Sequence, residues 1–245
     1  MRVVITGGAS GIGAALARRF AGDGARVAVL DTDRAGLAAL RNTLPGLEVA
    51  AEADITDRER VAEVFADLDR RWGGVDTLFN NAAITLYASF LEADAADWER
   101  VLAVNLTGAF HVTQEAARRM AAGDGGVIIT ISSVSGMVGM PGYASYNVSK
   151  AGLIEFTKTL ALELGPKIRV NAICPGFVHT PLIDREIPNP AEQAEMAARL
   201  PMRRMAHPDE IAALGAYLAS NAAAFVTGQA LVIDGGETAG GLASI

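Results

Sequence analysis

Apolar residues along this chain fall into two alternating patterns. Short runs rich in Val, Ile, Leu and Ala occupy residues 2–5, 26–30, 47–51, 75–79, 126–131, 168–174 and 230–233. Between them, hydrophobic positions recur at helical spacing: Ile12, Leu16 and Phe20; Val61, Val64, Phe65 and Leu68; Leu153, Phe156, Leu160 and Leu164; Ile211, Leu214 and Leu218. Trp98 leads through Val104, Asn105 and Leu106 into a long amphipathic helix reaching Ala122. Strand and helix alternating in this way predict a doubly wound α/β fold, with a seven-stranded, mainly parallel sheet and helices on both faces. Residues 1–245 read as a single domain. Residues 181–206 are too long and irregular for a plain connector and read as a substrate lid.

Composition narrows the function classes. Hydrophobic residues make up 51% of the 245 positions, yet Gly, Asp and Arg interrupt every apolar run. None approaches the ~18 residues that a bilayer span requires. The opening apolar run is too short for a signal peptide and passes straight into a glycine turn. One cysteine, Cys174, excludes an intramolecular disulfide, and three scattered histidines lack metal-ligand spacing. These features predict a cytoplasmic protein with no membrane partner and no metal. With 21 basic against 28 acidic residues, the net charge of −7 also disfavours a nucleic-acid partner.

The candidate chemistry lies in the turns. Thr6, Gly7, Gly8, Ala9, Ser10, Gly11, Ile12 and Gly13 join the first strand to the first helix, where glycines let backbone approach a pyrophosphate at the helix's positive end. Asp31 follows the second strand, twenty residues after Gly11, where a carboxylate accepts hydrogen bonds from an adenosine ribose and repels a 2′-phosphate. The other reading of Asp31 is a helix N-cap. Thr32 follows, and no basic residue interrupts the glycine turn, so NAD is preferred over NADP, with Arg34 as the opposing feature. Asp54, with Ile55 beside it, ends the third strand and is placed to meet an adenine edge or to close a turn. Asn80, Asn81, Ala82 and Ala83 suit a close backbone approach to a cofactor, or a tight turn. Asn105 is a polar residue in an apolar helical stretch, either a passenger or a local break whose freed carbonyl holds a water. Ser132 and Ser133 stand at the carboxyl end of the fifth strand, where ligands bind in such sheets. Tyr146 and Lys150 share a helix face. A phenol titrates near pH ~10, so its use as a base near neutrality requires about 4 kcal/mol of anion stabilisation, which Lys150 is placed to supply.

These motifs, in this order, resemble the short-chain dehydrogenase/reductase family in its compact, Rossmann-like form, across nearly the whole chain. The family's Thr-Gly-x-x-x-Gly-x-Gly turn is met by Thr6 to Gly13, and its Asn-Asn-Ala-Gly by Asn80 to Ala83, with Ala83 replacing glycine. Its serine is met by Ser133, thirteen residues before Tyr146, and its Tyr-x-x-x-Lys pair by Tyr146 and Lys150. The resemblance implies an oxidoreductase that moves a hydride between a nicotinamide cofactor and a secondary alcohol or ketone. Tyr146 would be the acid/base, Ser133 the donor to the substrate oxygen, Lys150 the group that lowers the tyrosine pKa and holds the nicotinamide ribose, and Asn105 the holder of a relay water. It assigns cofactor contacts to Gly7, Ser10, Gly11, Ile12, Gly13, Asp31, Asp54, Ile55, Asn81, Ala82, Tyr146 and Lys150. Pro175, Gly176, Val178 and Thr180 fall to the nicotinamide end.

The expected substrate liners are Ile84, Leu86, Met137, Val138, Met140, Tyr143, Phe177, Leu182 and Ile183, a mostly apolar set suited to an uncharged alcohol or ketone. His179 and Arg185 could engage a carboxylate or thioester. Two other functions compete: an NADPH-dependent 3-oxoacyl-carrier-protein reductase, and a nucleotide-binding sensor or structural subunit, which would not need Ser133, Tyr146 and Lys150 together. The resemblance also implies a homotetramer, with a homodimer as the alternative, through the long helices that carry Phe110, Val112, Leu153 and Phe156. Light scattering over a concentration series is expected to give the mass of four chains; a monomer at every concentration would remove that expectation.

Overall fold

The computed structural model describes residues 1–239. The strands are β1 (Arg2–Thr6), β2 (Arg26–Asp31), β3 (Leu47–Glu52), β4 (Thr77–Asn80), β5 (Gly126–Ile131), β6 (Ile168–Pro175) and β7 (Ala230–Ile233). The helices are α1 (Gly11–Gly22), α2 (Arg34–Thr43), α3 (Arg58–Trp72), α4 (Ala95–Leu102), α5 (Ala109–Ala122), α6 (Ala144–Leu164), α7 (Pro181–Glu186), α8 (Pro190–Arg199) and α9 (Pro208–Ala219). One sheet takes the order β3-β2-β1-β4-β5-β6-β7, and all its pairings are parallel. The chain leaves β1 towards one edge and returns through β4 to build the other. The carboxyl ends of β1 and β4 therefore flank the switch point, where connecting loops diverge and leave a crevice.

Alternation along each strand decides which layer a residue enters. Val3, Ile5, Val27, Val29, Ile129 and Ile131 face one layer with Leu16 and Phe20 of α1 and Ile211 and Leu218 of α9. Val4, Ala28, Leu30, Leu78 and Ile128 face the other, with Val61, Val64, Phe65 and Leu68 of α3 and Val112, Ala116 and Met120 of α5. Burial on both faces explains why the strands read as continuous apolar runs. Gly215 on α9 lets that helix close on the sheet, since a Cβ there would come within 2.9 Å of the Phe79 ring.

Two elements differ from the periodicity. The fourth strand begins at Thr77 rather than Val75, because Gly73 and Gly74 have positive φ and the Asp76 carboxylate takes the Arg2 N–H and guanidinium. The long helix ending at Ala122 is in fact two α-helices joined by a π segment, Ala103–Gly108, with Asn105 inside it. Such segments insert one extra residue per turn and are common at functional sites. Of the residues considered for core or interface, Val112 and Leu153 are core, whereas Phe110 is 41% exposed with its ring 6.5 Å from Phe156. No helix among the described residues is long and apolar enough to cross a membrane.

Candidate active site

The β1–α1 turn is built backbone against backbone. Gly7 and Gly11 have φ of +63° and +53°, a left-handed conformation that disfavours side chains, and a Cβ on Gly13 would lie 2.2 Å from the Gly7 carbonyl oxygen. Asn81, just beyond β4, donates through Nδ2 to the carbonyls of Thr6 (3.0 Å) and Gly7 (2.8 Å). The Thr6 hydroxyl accepts in return from the N–H groups of Asn81 and Ala82. The close approach expected near Asn81 and Ala82 is thus first an approach to the glycine turn, which these bonds hold open. Ser10 precedes α1 without a side-chain cap, and the first turn of α1 carries no acid. The positive end of α1 therefore faces the crevice uncompensated, and this donor set fits the pyrophosphate of a dinucleotide.

At the end of β2, Asp31 accepts from the N–H of Ala9 (2.9 Å) and of Asp33 (2.9 Å). The N-cap of α2 is Asp33, whose carboxylate takes the Gly36 N–H, so the capping alternative for Asp31 does not hold. Arg34 points away, 86% exposed and 3.8 Å from Glu52. Asp54 closes a turn by accepting from the Thr56 N–H and hydroxyl, each at 2.8 Å. Ile55 is largely core, packed over Gly108.

The other half of the site is carried by β5 and α6. Tyr146 is the third residue of α6, which begins at Ala144, two residues earlier than the motif suggests. Lys150 is almost wholly buried and donates from Nζ to the Ile131 carbonyl at 2.8 Å, with its ammonium 5.4 Å from the Tyr146 ring centroid. Ser132 and Ser133 separate by function: Ser132 Oγ donates to the Lys150 carbonyl and ties α6 to β5, while Ser133 Oγ accepts from the Ser135 N–H at the cavity wall. Asn105 spends its side chain on protein groups. Nδ2 donates to the Ile84 carbonyl (2.9 Å) and to Ser149 Oγ (3.0 Å), and Oδ1 accepts from the Ile84 N–H (2.8 Å). Ser149 Oγ in turn donates to the Tyr146 carbonyl. The π segment thus clamps the β4–α4 loop to the first turn of α6.

Burial dominates the electrostatics. It pushes the Tyr146 phenol up to about 12; the Ser133 hydroxyl opposes that rise, and the Glu186 charge adds to it. Burial also pushes the Lys150 ammonium down to about 8. The expectation that Lys150 lowers the tyrosine pKa is therefore not met in the protein by itself. Both groups are desolvated, which disfavours the charged form of each.

A cavity of about 870 Å³ runs between these halves. Every residue predicted for catalysis or cofactor contact lines it except Gly13 and Asn105, which stand behind its wall and shape it. Thr180, at the N-cap of α7, lies against Gly11, where a Cβ would come within 3.2 Å of its methyl group. Among the apolar liners expected, Met137 and Val138 are instead exposed outside the cavity, because the 3₁₀ turn Val134–Gly136 directs the chain outward. Two carboxylates escaped the sequence reading because no spacing marks them: Glu186 at the end of α7, and Glu237, whose Oε2 is buried without a partner among the described residues.

Comparison with known proteins agrees with this geometry. Residues 7–238 match the family model described as Enoyl-(Acyl carrier protein) reductase. The 3-oxoacyl-[acyl-carrier-protein] reductase of Thermotoga maritima is 41% identical over 237 residues, covering 95% of this chain and 96% of that protein. The chain belongs to the short-chain dehydrogenase/reductase family. Another relative, the cis-4-hydroxycyclohexanecarboxylate dehydrogenase of Sinomonas cyclohexanicum, is 40% identical, with 96% of each chain covered. The crystal structure of levodione reductase superimposes with a TM-score of 0.92 at 32% identity, covering 98% of both chains. As a member of this family the protein is an NAD(P)-dependent oxidoreductase of alcohol and carbonyl groups.

Lys150 carries a stability cost that follows from its burial. Its folded pKa lies below its unfolded value of 10.5, so the unfolded chain binds more protons between about 8 and 10.5 and stability rises with pH across that window. Lys150→Met is expected to stabilise the fold at pH 7 by about 2 kcal/mol after allowing for the lost bond to Ile131. Urea denaturation at pH 7 and pH 10 checks this. The gain should shrink at the higher pH, and a variant less stable than the wild type at pH 7 would contradict it.

Proposed function

We propose that the protein is an NAD-dependent dehydrogenase that interconverts a secondary alcohol and its ketone. The observation that supports this most is a single cavity with Ser133, Tyr146 and Lys150 on one wall and the uncapped end of α1 and Asp31 on another. When bound, the nicotinamide ring takes or gives the hydride. Tyr146 accepts the alcohol proton in the oxidative direction and returns it in the reductive one. Ser133 donates to the substrate oxygen as charge develops there. Lys150 holds the nicotinamide ribose, and its ammonium favours the phenolate once a ligand draws Nζ away from Ile131. Asn105, through the clamp on Ile84 and Ser149, positions the first turn of α6, and its backbone carbonyl in the π segment is the proposed holder of the relay water. Gly7, Ser10, Gly11, Ile12 and Ala82 form the pyrophosphate side, and Pro175, Gly176, Val178 and Thr180 the nicotinamide side. Residues 181–206, which carry α7 and α8, act as the lid.

Asp31 supports NAD. A carboxylate held by two backbone N–H groups cannot swing away from a 2′-phosphate, and Arg34 is turned towards Glu52. The Thermotoga maritima relative favours a second reading, an NADPH-dependent 3-oxoacyl-carrier-protein reductase. The exposed apolar surface of α5 and α6, including Phe110 and Leu162, supports assembly of the chain into a homotetramer.

A screen of secondary alcohols with NAD and NADP in parallel separates the readings. The expected result is reduced-cofactor formation with NAD at kcat/KM at least about tenfold above that with NADP. Tyr146→Phe is expected to abolish turnover while cofactor still binds. A strong NADP preference would overturn the reading of Asp31, and undiminished Tyr146→Phe activity would overturn the proton-transfer assignment.

A further inference from the structure

The substrate side of the cavity is closed by α7 and the turn before α6. Tyr143, immediately before α6, donates its hydroxyl to Glu186 Oε2 at 3.0 Å. Its ring packs edge-on against Tyr87, with centroids 5.4 Å apart and planes at 67°. Glu186 is the last residue of α7, half-buried, and its second carboxylate oxygen accepts no hydrogen bond from the described residues. Leu86, Met140, Leu182, Ile183 and Met196 make up much of the surrounding wall. The charge of Glu186 reaches the chemistry, since it is among the causes that hold both Tyr143 and Tyr146 in the neutral form. Arg100 and Arg185 also border the cavity, but both are exposed, where water and salt screen them.

We propose that the Glu186–Tyr143 pair selects the substrate: it receives a neutral secondary alcohol that carries a second hydroxyl group and rejects one that carries a carboxylate or phosphate at that end. The proposal rests on the dehydrogenase reading above and names the substrate class of the same site. The open carboxylate oxygen accepts the second hydroxyl in a charge-assisted bond, stronger than a neutral one. Tyr143 fixes the carboxylate's orientation and satisfies its other oxygen, so the pair is arranged before the substrate arrives. An anionic group placed there would meet the like charge of a half-buried carboxylate within the cavity. Selection by this pair is distinct from selection by the apolar wall, which distinguishes size and shape but not charge.

The test uses the full chain with NAD and three compounds of similar size: cyclohexane-1,4-diol, 4-hydroxycyclohexanecarboxylate and the corresponding carboxamide. The wild type is expected to favour the diol and the carboxamide over the carboxylate by at least about tenfold in kcat/KM. Glu186→Gln is expected to cut that ratio by about tenfold, mainly through a lower KM for the carboxylate. Calorimetry of the same compounds on the complex with NADH gives affinities for any compound that does not turn over. A wild type that binds the carboxylate as well as or better than the diol would overturn the proposal and assign selectivity to Arg185. A Glu186→Gln ratio equal to the wild-type ratio would overturn it as well. Absence of turnover with every alcohol tested, while calorimetry retains the expected order, would instead count against the dehydrogenase reading.

Discussion

The site depends on two desolvated side chains. Tyr146 and Lys150 lie in the first turns of α6, which packs onto β6 and the 3₁₀ turn after β5; Lys150 is almost wholly buried and Tyr146 partly so. A phenol pushed up to about 12 is held away from the phenolate that the proposed proton transfer needs, while an ammonium pushed down to about 8 keeps its charge at neutral pH only at a cost. Their environment is poised rather than relaxed, and only a further charge or hydrogen bond brought into the cavity changes the balance. Stability is given up for this arrangement, as is usual where function requires buried polar groups.

Much of the remaining structure holds that pair in place. Ser132 fixes the Lys150 carbonyl to β5, and Ile131 takes the lysine Nζ. Asn105, placed by the π segment, joins the β4–α4 loop to Ser149, and Ser149 joins it to Tyr146. On the opposite wall Asn81 and Thr6 fasten the two turns at the switch point to each other. Polar side chains thus tie the elements on both sides of the crevice between the parallel strands.

The fold was readable in the chain because both faces of the sheet are buried: each strand is an apolar run, and each helix shows its period. Boundaries were less readable where a side chain overrides the pattern, as Asp76 does at β4 and Asn105 does between α4 and α5. The site residues were legible where chemistry fixes a spacing within one element, as for Tyr146 and Lys150, or where a turn demands glycine, as at Gly7 and Gly11. Glu186 and Glu237 were not, since they enter the cavity from the end of the short helix α7 and from the segment after β7, whose courses no local period encodes. Gly13 and Asn105 show the converse, being marked by motif yet acting from behind the cavity wall.

The central claim is that burial keeps the Tyr146 phenol neutral until the cavity is charged from within. Tyrosinate absorbance followed against pH, as the difference between the wild type and Tyr146→Phe, measures this directly with and without NAD. The account predicts a Tyr146 transition near 12 in the protein alone and one well below the ordinary phenol value of ~10 with NAD bound. A transition that stays in place when NAD binds would contradict it.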